Sequence, residues 1–399
     1  MTPQALADAI AAEWRDDLRP FWLRHAPDPD FGGFRGFIGH DLRVDPRADK
    51  GVILNARILW TFSRAALLHG DRDARALADR AWEYLSAHFV DREHGGVFWT
   101  VDHRGAPRDT RKKLYAQAFA LYAFAEYGRT TGHVDALEEA IRLFDLIEQH
   151  GRDPVHGGYG ENYDRDWTLS SDQRLSEVDL DTRRSMNTHL HVLEAYATLR
   201  HVVPDARVRE ALDGCLDVFF RHILDRESWH LRLFFDEAWR PQSDVISFGH
   251  DIEASWLLCE AADALGDPAR QREARDAAVK MAGAVLAEAV DADGGVMYEA
   301  DPSGIIDGTK DWWPQAEAVV GFLNAWTLSG EPRFFEAAER AWAFIARTVV
   351  DREHGEWHSK VSRDGVPDTA RPKVDLWKCP YHNGRMCFEA AARLTPSPA

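Results

Sequence analysis

The chain has 399 residues, 45% of them hydrophobic, and a net charge of −18. That composition can bury a large core, and the charge argues against nucleic acid or an anionic membrane as a partner. No apolar run approaches the roughly 18 residues of a membrane span. Cys215, Cys259, Cys379 and Cys387 have neither zinc-like spacing nor the density of a disulfide scaffold. Met1 to Arg19 is acidic and amphipathic, without the basic and apolar regions of a signal peptide. A soluble cytoplasmic protein, monomeric or homodimeric, is expected. The 15 tryptophans suit core packing first and sugar stacking second.

A unit recurs along the chain. It opens on Asp-x-x-x-Gly-Gly or a relative, passes through a short aromatic or β-branched stretch and a turn, and enters an apolar helix followed by a second helix. The openings are Pro29–Phe34, Asp91–Val97, Asp153–Tyr159, Asp225–His230 (which lacks the glycine pair), Asp291–Val296 and Asp351–Glu356. The apolar helices are predicted over Lys50–Leu68, Lys113–Tyr127, Ser185–Leu199, Gly249–Leu265 and Asp311–Leu328, with a sixth opening at Tyr381. The spacing of roughly 60 to 70 residues is that of a helix pair plus a hairpin, and tips such as Asp102–Ala106 and Ser362–Gly365 are hairpin signals. Stretches such as Arg72–Phe89 and Pro332–Val349 carry one apolar face and read as outer helices.

Six helix pairs can form an open solenoid or close into a ring. Solenoids carry polar capping repeats, whereas the first and last units here are as apolar as the middle ones. Closure is therefore expected: an all-α chain, a single (α/α)6-barrel domain over residues 1–399, with short β-hairpins gathered at one end.

Closure brings the N-terminal ends of six inner helices around one cavity, so their polar residues form one set. These are Asn55 and Arg57; Tyr115 and Gln117; Asn187, His189 and His191; His250, Asp251 and Glu253; Trp312, Trp313, Gln315 and Glu317; and Trp377, His382, Asn383 and Arg385. Buried polar groups need partners, so the set is either a polar network or a binding site. His189 and His191 are about 200° apart on a helix, so one target takes only one of them; His191 shares a face with Asn187 and is assigned to the cavity, His189 to packing. His250 and Glu253 share a face, which lets the carboxylate fix an imidazole tautomer. His382 lies in the first turn after Pro380, where the helix dipole favours a neutral ring. Two neutral imidazoles from non-adjacent units suit proton removal on one face of a carbon and return on the other.

Other chemistries leave weaker traces. Three histidines could hold zinc, but no His-Glu-x-x-His or i, i+4 pair is present, and no metal is expected. Asp251 or Glu253 with Glu317 could form the carboxylate pair of a glycosidase. No glycine-rich nucleotide loop occurs, so no cofactor is expected, and Ser63 and Ser255 lack a nucleophile-elbow context.

Asn187–Tyr196, Gly249–Trp256, Trp312–Glu317 and Trp377–Arg385 closely resemble segments of the cellobiose 2-epimerases, within the N-acylglucosamine 2-epimerase superfamily. The resemblance runs from the first unit to the last and implies an (α/α)6 barrel that needs no cofactor. Position by position, Arg57 resembles the arginine that holds the reacting oxygens, and Tyr115 and Asn187 resemble hydrogen-bonding residues of the cavity. His191, His250 and His382 resemble the catalytic histidines, Glu253 the carboxylate supporting the second of them, and Trp313 and Trp377 the tryptophans that stack on sugar. The implied reaction inverts C2 of a reducing-end glucose through ring opening and a cis-enediol, with a small-molecule sugar as the partner. The alternatives are a mannose 2-epimerase or mannose isomerase working on monosaccharides, then an (α/α)6 hydrolase, then a non-catalytic sugar-binding barrel.

Overall fold

The computed structural model describes residues 1–395. Its thirteen α-helices are α1 (Pro3–Glu13), α2 (Arg19–His25), α3 (Val52–His69), α4 (Arg72–Tyr84), α5 (Leu114–Thr131), α6 (Val134–Leu146), α7 (Met186–Val202), α8 (Ala206–Val218), α9 (Phe248–Leu265), α10 (Pro268–Glu288), α11 (Trp312–Ser329), α12 (Pro332–Phe344) and α13 (Tyr381–Leu394). The predicted inner helices are α3, α5, α7, α9, α11 and α13, each beginning within two residues of its expected start. They pack in chain order, and α13 returns to α3, so the ring closes.

The division into inner and outer helices follows from side-chain pattern. In α5 every residue from Leu114 to Gly128 is buried, as expected of a helix with neighbours on all sides. The outer α4 buries Ala74, Leu77, Ala78, Ala81 and Trp82, one stripe at helical spacing. Four outer helices end in a five-residue π-helical turn, for example Leu85–Phe89 after α4. α1 joins α2 through another such turn, and α1 packs on α13.

Short antiparallel ladders tie each unit to the next at one end of the ring. The residue pair before each inner helix meets the hairpin of the following unit: Lys50–Gly51 with Thr100–Val101, Lys112–Lys113 with Asn162–Tyr163, Arg184–Ser185 with Phe234–Phe235, Ile246–Ser247 with Glu299–Ala300, and Lys310–Asp311 with Lys360–Val361. The sixth seam is made by Ile38, whose N–H donates to Val374 O at 2.9 Å. The paired loop glycines other than Gly295 sit in the left-handed region, as at Gly95 (φ 72°) and Gly96 (φ 74°). In the fourth unit, which lacks them, Trp229 adopts that conformation at φ 66°, a costly choice for a bulky residue.

Candidate active site

Position along the inner helices separates structural polar residues from those of the cavity. The fourth residue of each helix points back to its own loop. Gln117 accepts from Val97 N–H at 2.7 Å and donates to Val97 O at 2.9 Å. Gln315 does the same for Val296 at 2.8 Å each way. Asp251 accepts from Leu231 N–H and His230 Nδ1. His189 donates from Nδ1 to Ser185 O at 2.7 Å, which leaves Nε2 to accept from Tyr159 N–H at 2.9 Å. Asn55 donates to Gly51 O, and Asn383, third in its helix, donates to Glu356. These satisfy loop groups that burial would otherwise orphan.

Two residues further on lies the opposite face, and there side chains meet across the centre. Arg57 Nη2 donates to the Tyr115 hydroxyl at 2.9 Å, and its guanidinium lies 4.3 Å from the Phe119 ring and 4.9 Å from the Tyr381 ring. It is buried, forms no ion pair with a carboxylate, and its Nε has no hydrogen-bond partner among the described residues. A buried cation in that condition is suited to receive a negative charge supplied by a ligand.

Below it, Arg385 gathers three carboxylates: Glu194, Glu253 and Glu317, the last at 2.7 Å, together with the Tyr381 hydroxyl. Burial and then neighbouring Glu317 push Glu253 up to about 7, because one guanidinium cannot neutralise three buried acids. Burial alone would raise Glu194 too, but Arg385 and His191 hold it down at about 2.

This network fixes two imidazoles. His191 Nδ1 donates to Glu194 Oε2 at 2.9 Å, and His382 Nδ1 donates to Glu317 Oε1 at 2.7 Å. Nε2 is then the free, lone-pair nitrogen of each ring. Burial, reinforced by the guanidiniums of Arg57 and Arg385, holds His382 well below its ordinary pKa. Burial and then His191 bring His250 to about 3. The His250 partner is the Ser247 hydroxyl, 2.8 Å from Nδ1; a hydroxyl donates or accepts, so this ring keeps both tautomers open.

Trp313 spans the two. Its ring centroid is 4.8 Å from that of His250 and 5.5 Å from that of His382. Gly249 makes the placement possible, since a Cβ there would lie 2.5 Å from Trp313 Cη2. Trp312 turns away beneath the Lys378 ammonium. Across the mouth, half-buried Trp377 lies 5.6 Å from Trp99 and 5.8 Å from Tyr115. Asn187 is half-buried, and its Oδ1 has no partner among the described residues. Donor atoms of Glu253, Glu317 and His382 lie within 4.8 Å of one another, a metal-like spacing, but Arg385 binds both carboxylates and His382 Nδ1 is committed to Glu317.

Residues 32–382 match the family model described as N-acylglucosamine 2-epimerase (GlcNAc 2-epimerase). The chain belongs to this family. The cellobiose 2-epimerase of Bacteroides fragilis is 44% identical over 97% of this chain and 98% of that protein. The cellobiose 2-epimerase of Ruminococcus albus is 40% identical over 96% of this chain and 98% of that one. The solved cellobiose 2-epimerase of Bacillus thermoamylovorans superposes with a TM-score of 0.94 at 36% identity, covering 98% of this chain and 100% of that structure.

In this N-acylglucosamine 2-epimerase family member, the barrel brings Arg57, Tyr115, His191, His250, Trp313, Trp377 and His382 together, and Asn187 lies in the first turn of α7. Glu253 departs from its expected role: it does not hydrogen-bond His250 but lies in the Arg385 network, 3.9 Å from His382 Nδ1. The residues that hold the imidazoles are instead Ser247, Glu194 and Glu317. Ser247 and Glu194 went unnoticed in the sequence, as did Phe119 and Tyr381. Glu194 carried a signal, standing three residues after His191 on the same helical face. Ser247 carried none, being one strand residue before its helix.

Proposed function

We propose that this chain inverts C2 of the reducing-end glucose of a β-1,4-linked disaccharide, converting cellobiose to glucosyl-mannose without a cofactor. The observation that carries the reading is the pair His250 and His382, from different inner helices, both against the Trp313 ring and both held neutral, with carboxylate-free Arg57 in the same cavity. The 44% identity to a cellobiose 2-epimerase along nearly the whole chain supports the choice of substrate.

The sugar stacks on Trp313 and Trp377 and opens to its aldehyde. One imidazole takes the C2 proton, and the electron pair left behind forms the C1–C2 double bond of an enediolate with charge on O1. Arg57 and the Tyr115 hydroxyl stabilise that charge, and the Nε2 lone pair of His191 accepts a hydrogen bond from a sugar hydroxyl. After rotation about C2–C3 the other imidazole, having taken up a solvent proton, delivers it to the opposite face and returns to neutral, while the first ring releases the C2 proton to solvent. His382 donates from Nδ1 to Glu317, which leaves its Nε2 for the sugar, and the Nδ1 of His250 meets the Ser247 hydroxyl, which can donate or accept; each ring is the base in one direction of the reaction. Proton return to C1 instead of C2 gives a ketose, so isomerisation is the natural side reaction.

Incubation with cellobiose followed by product chromatography tests this. Glucosyl-mannose with no free glucose is expected. Free glucose would indicate hydrolysis by a carboxylate pair, a ketose as main product would make the chain an isomerase, and binding without product would leave a sugar-binding barrel.

A further inference from the structure

The last inner helix begins without the support that the others have. A strand pair precedes each of α3, α5, α7, α9 and α11 and is laddered to the next unit. Among the described residues no such pair precedes α13, and its N-cap, Pro380, makes no side-chain capping bond. The seam pairing of Ile38 with Val374 lies upstream, on the far side of Trp377. Yet this turn carries Trp377 and His382 to the cavity. What holds it is Glu356. This buried carboxylate accepts from Lys378 Nζ through one oxygen and from Asn383 Nδ2 through the other, so one side chain ties both ends of the turn that contains His382.

Glu356 holds an unfavourable backbone conformation to do so. Its φ is 60°, in the left-handed region, where a residue with a Cβ is uncommon. The matching position in the first three units is glycine: Gly33, Gly96 and Gly158, at φ 58°, 74° and 70°. In the second and third units the inner helix supplies the long side chain, and the loop has no room for a Cβ. One at Gly96 would lie 2.7 Å from Gln117 Oε1, and one at Gly158 2.7 Å from His189 Nε2. The sixth unit reverses this allotment: the loop carries the long side chain, and the helix offers the short Asn383. The Glu356 backbone is pinned on both sides, its N–H donating to Asp17 Oδ1 at 3.1 Å and its carbonyl accepting from Asp351 N–H at 2.9 Å. We propose that Glu356 is a positioning residue for the C2 chemistry: through Asn383 and Lys378 it sets the start of α13 and so the reach of His382 Nε2. This rests on the two-base reading of the site. Glu317 fixes the tautomer of His382, and Glu356 fixes the backbone on which that ring stands.

The double variant Glu356→Gly/Lys378→Met tests this, since it removes the carboxylate and its cation together and leaves no buried charge unpaired. Glu356→Gln/Lys378→Met is its counterpart, because the glutamine oxygen still accepts from Asn383. Circular dichroism melting verifies that each folds. On cellobiose the first variant should lose about 10²-fold in kcat with KM little changed, and the second should retain most of the wild-type kcat. Asn383→Ala, which cuts the same tie and keeps the ion pair, should behave like the first. In deuterated water the first variant should show the pattern of His382→Asn, with exchange into one sugar kept through His250 and the other lost. A purely structural role would slow both exchanges equally. Nitrogen NMR of labelled histidines reads the same placement without turnover. The His382 Nδ1–H signal, assigned by its loss in His382→Asn, should move in the first variant and stay in place in the second. An unmoved signal, wild-type kcat in the first variant, or no difference between the two would each overturn the inference. Wild-type protein that does not epimerise would defeat the proposed function instead, and the NMR comparison would then decide this inference by itself.

Discussion

Replacing Arg57 by Met separates catalysis from stability. The guanidinium is buried, and among the described residues it has no carboxylate partner and its Nε is unpaired. Taking such a cation out of water costs several kcal/mol. Against that stand contacts with two rings, at 4.3 and 4.9 Å, each contributing about 1–2 kcal/mol, and the hydrogen bond to Tyr115, about 1.5–3 kcal/mol for a charged donor. The opposing terms nearly cancel, and Met restores the packing volume, so Tm should stay within about 3 °C of wild type. Catalysis has no such compensation. Losing the group aimed at the enediolate oxygen should cost about 2.7–4 kcal/mol, or about 10²- to 10³-fold in kcat on cellobiose. Arg57→Lys should fall between, since it keeps the charge and loses the planar fork. The assays are thermal melting and initial-rate product chromatography. A large drop in Tm with kcat little changed would show that Arg57 is a packing residue and refute the reasoning.

His250→Asn and His382→Asn should each abolish net epimerisation; in deuterated water one variant should wash deuterium into the glucose-type sugar and the other into the mannose-type sugar, without crossing over, and near wild-type epimerisation by either would defeat the two-base scheme. Gly249→Ala places a Cβ 2.5 Å from Trp313 Cη2 and should displace that ring, lowering kcat/KM by about 10²; unchanged kinetics would remove Trp313 from the site. Glu253, raised to about 7 from an ordinary 4.5, binds its proton more tightly in the folded chain, so its contribution to stability is full below about 4.5 and is lost as pH rises through 7. Glu253→Gln should therefore gain Tm relative to wild type between pH 5.5 and pH 8, and a difference that does not grow with pH would contradict the protonated carboxyl.

The sequence alone specified the ring. Helical periodicity, glycine-marked loops and equally apolar end units each restrict the backbone locally, and together they leave closure as the way to bury both end faces. It also pointed to the mouth where the proposed site lies, because polar residues recur at the start of every inner helix and those starts must converge. It could not divide the polar set. Gln117 and Arg57 look alike as polar residues at helix mouths, but two positions of helix turn one toward its own loop and the other toward the axis. The support of the histidines was hidden for a related reason. Glu317 reaches His382, and Arg385 reaches Glu194, from different helices, so the partnerships exist only after the ring has closed. Glu253 shows the limit of local spacing: sharing a face with His250 made the two look paired, while an arginine from the last helix, far along the chain and adjacent in space, binds the carboxylate more strongly than a neutral imidazole could.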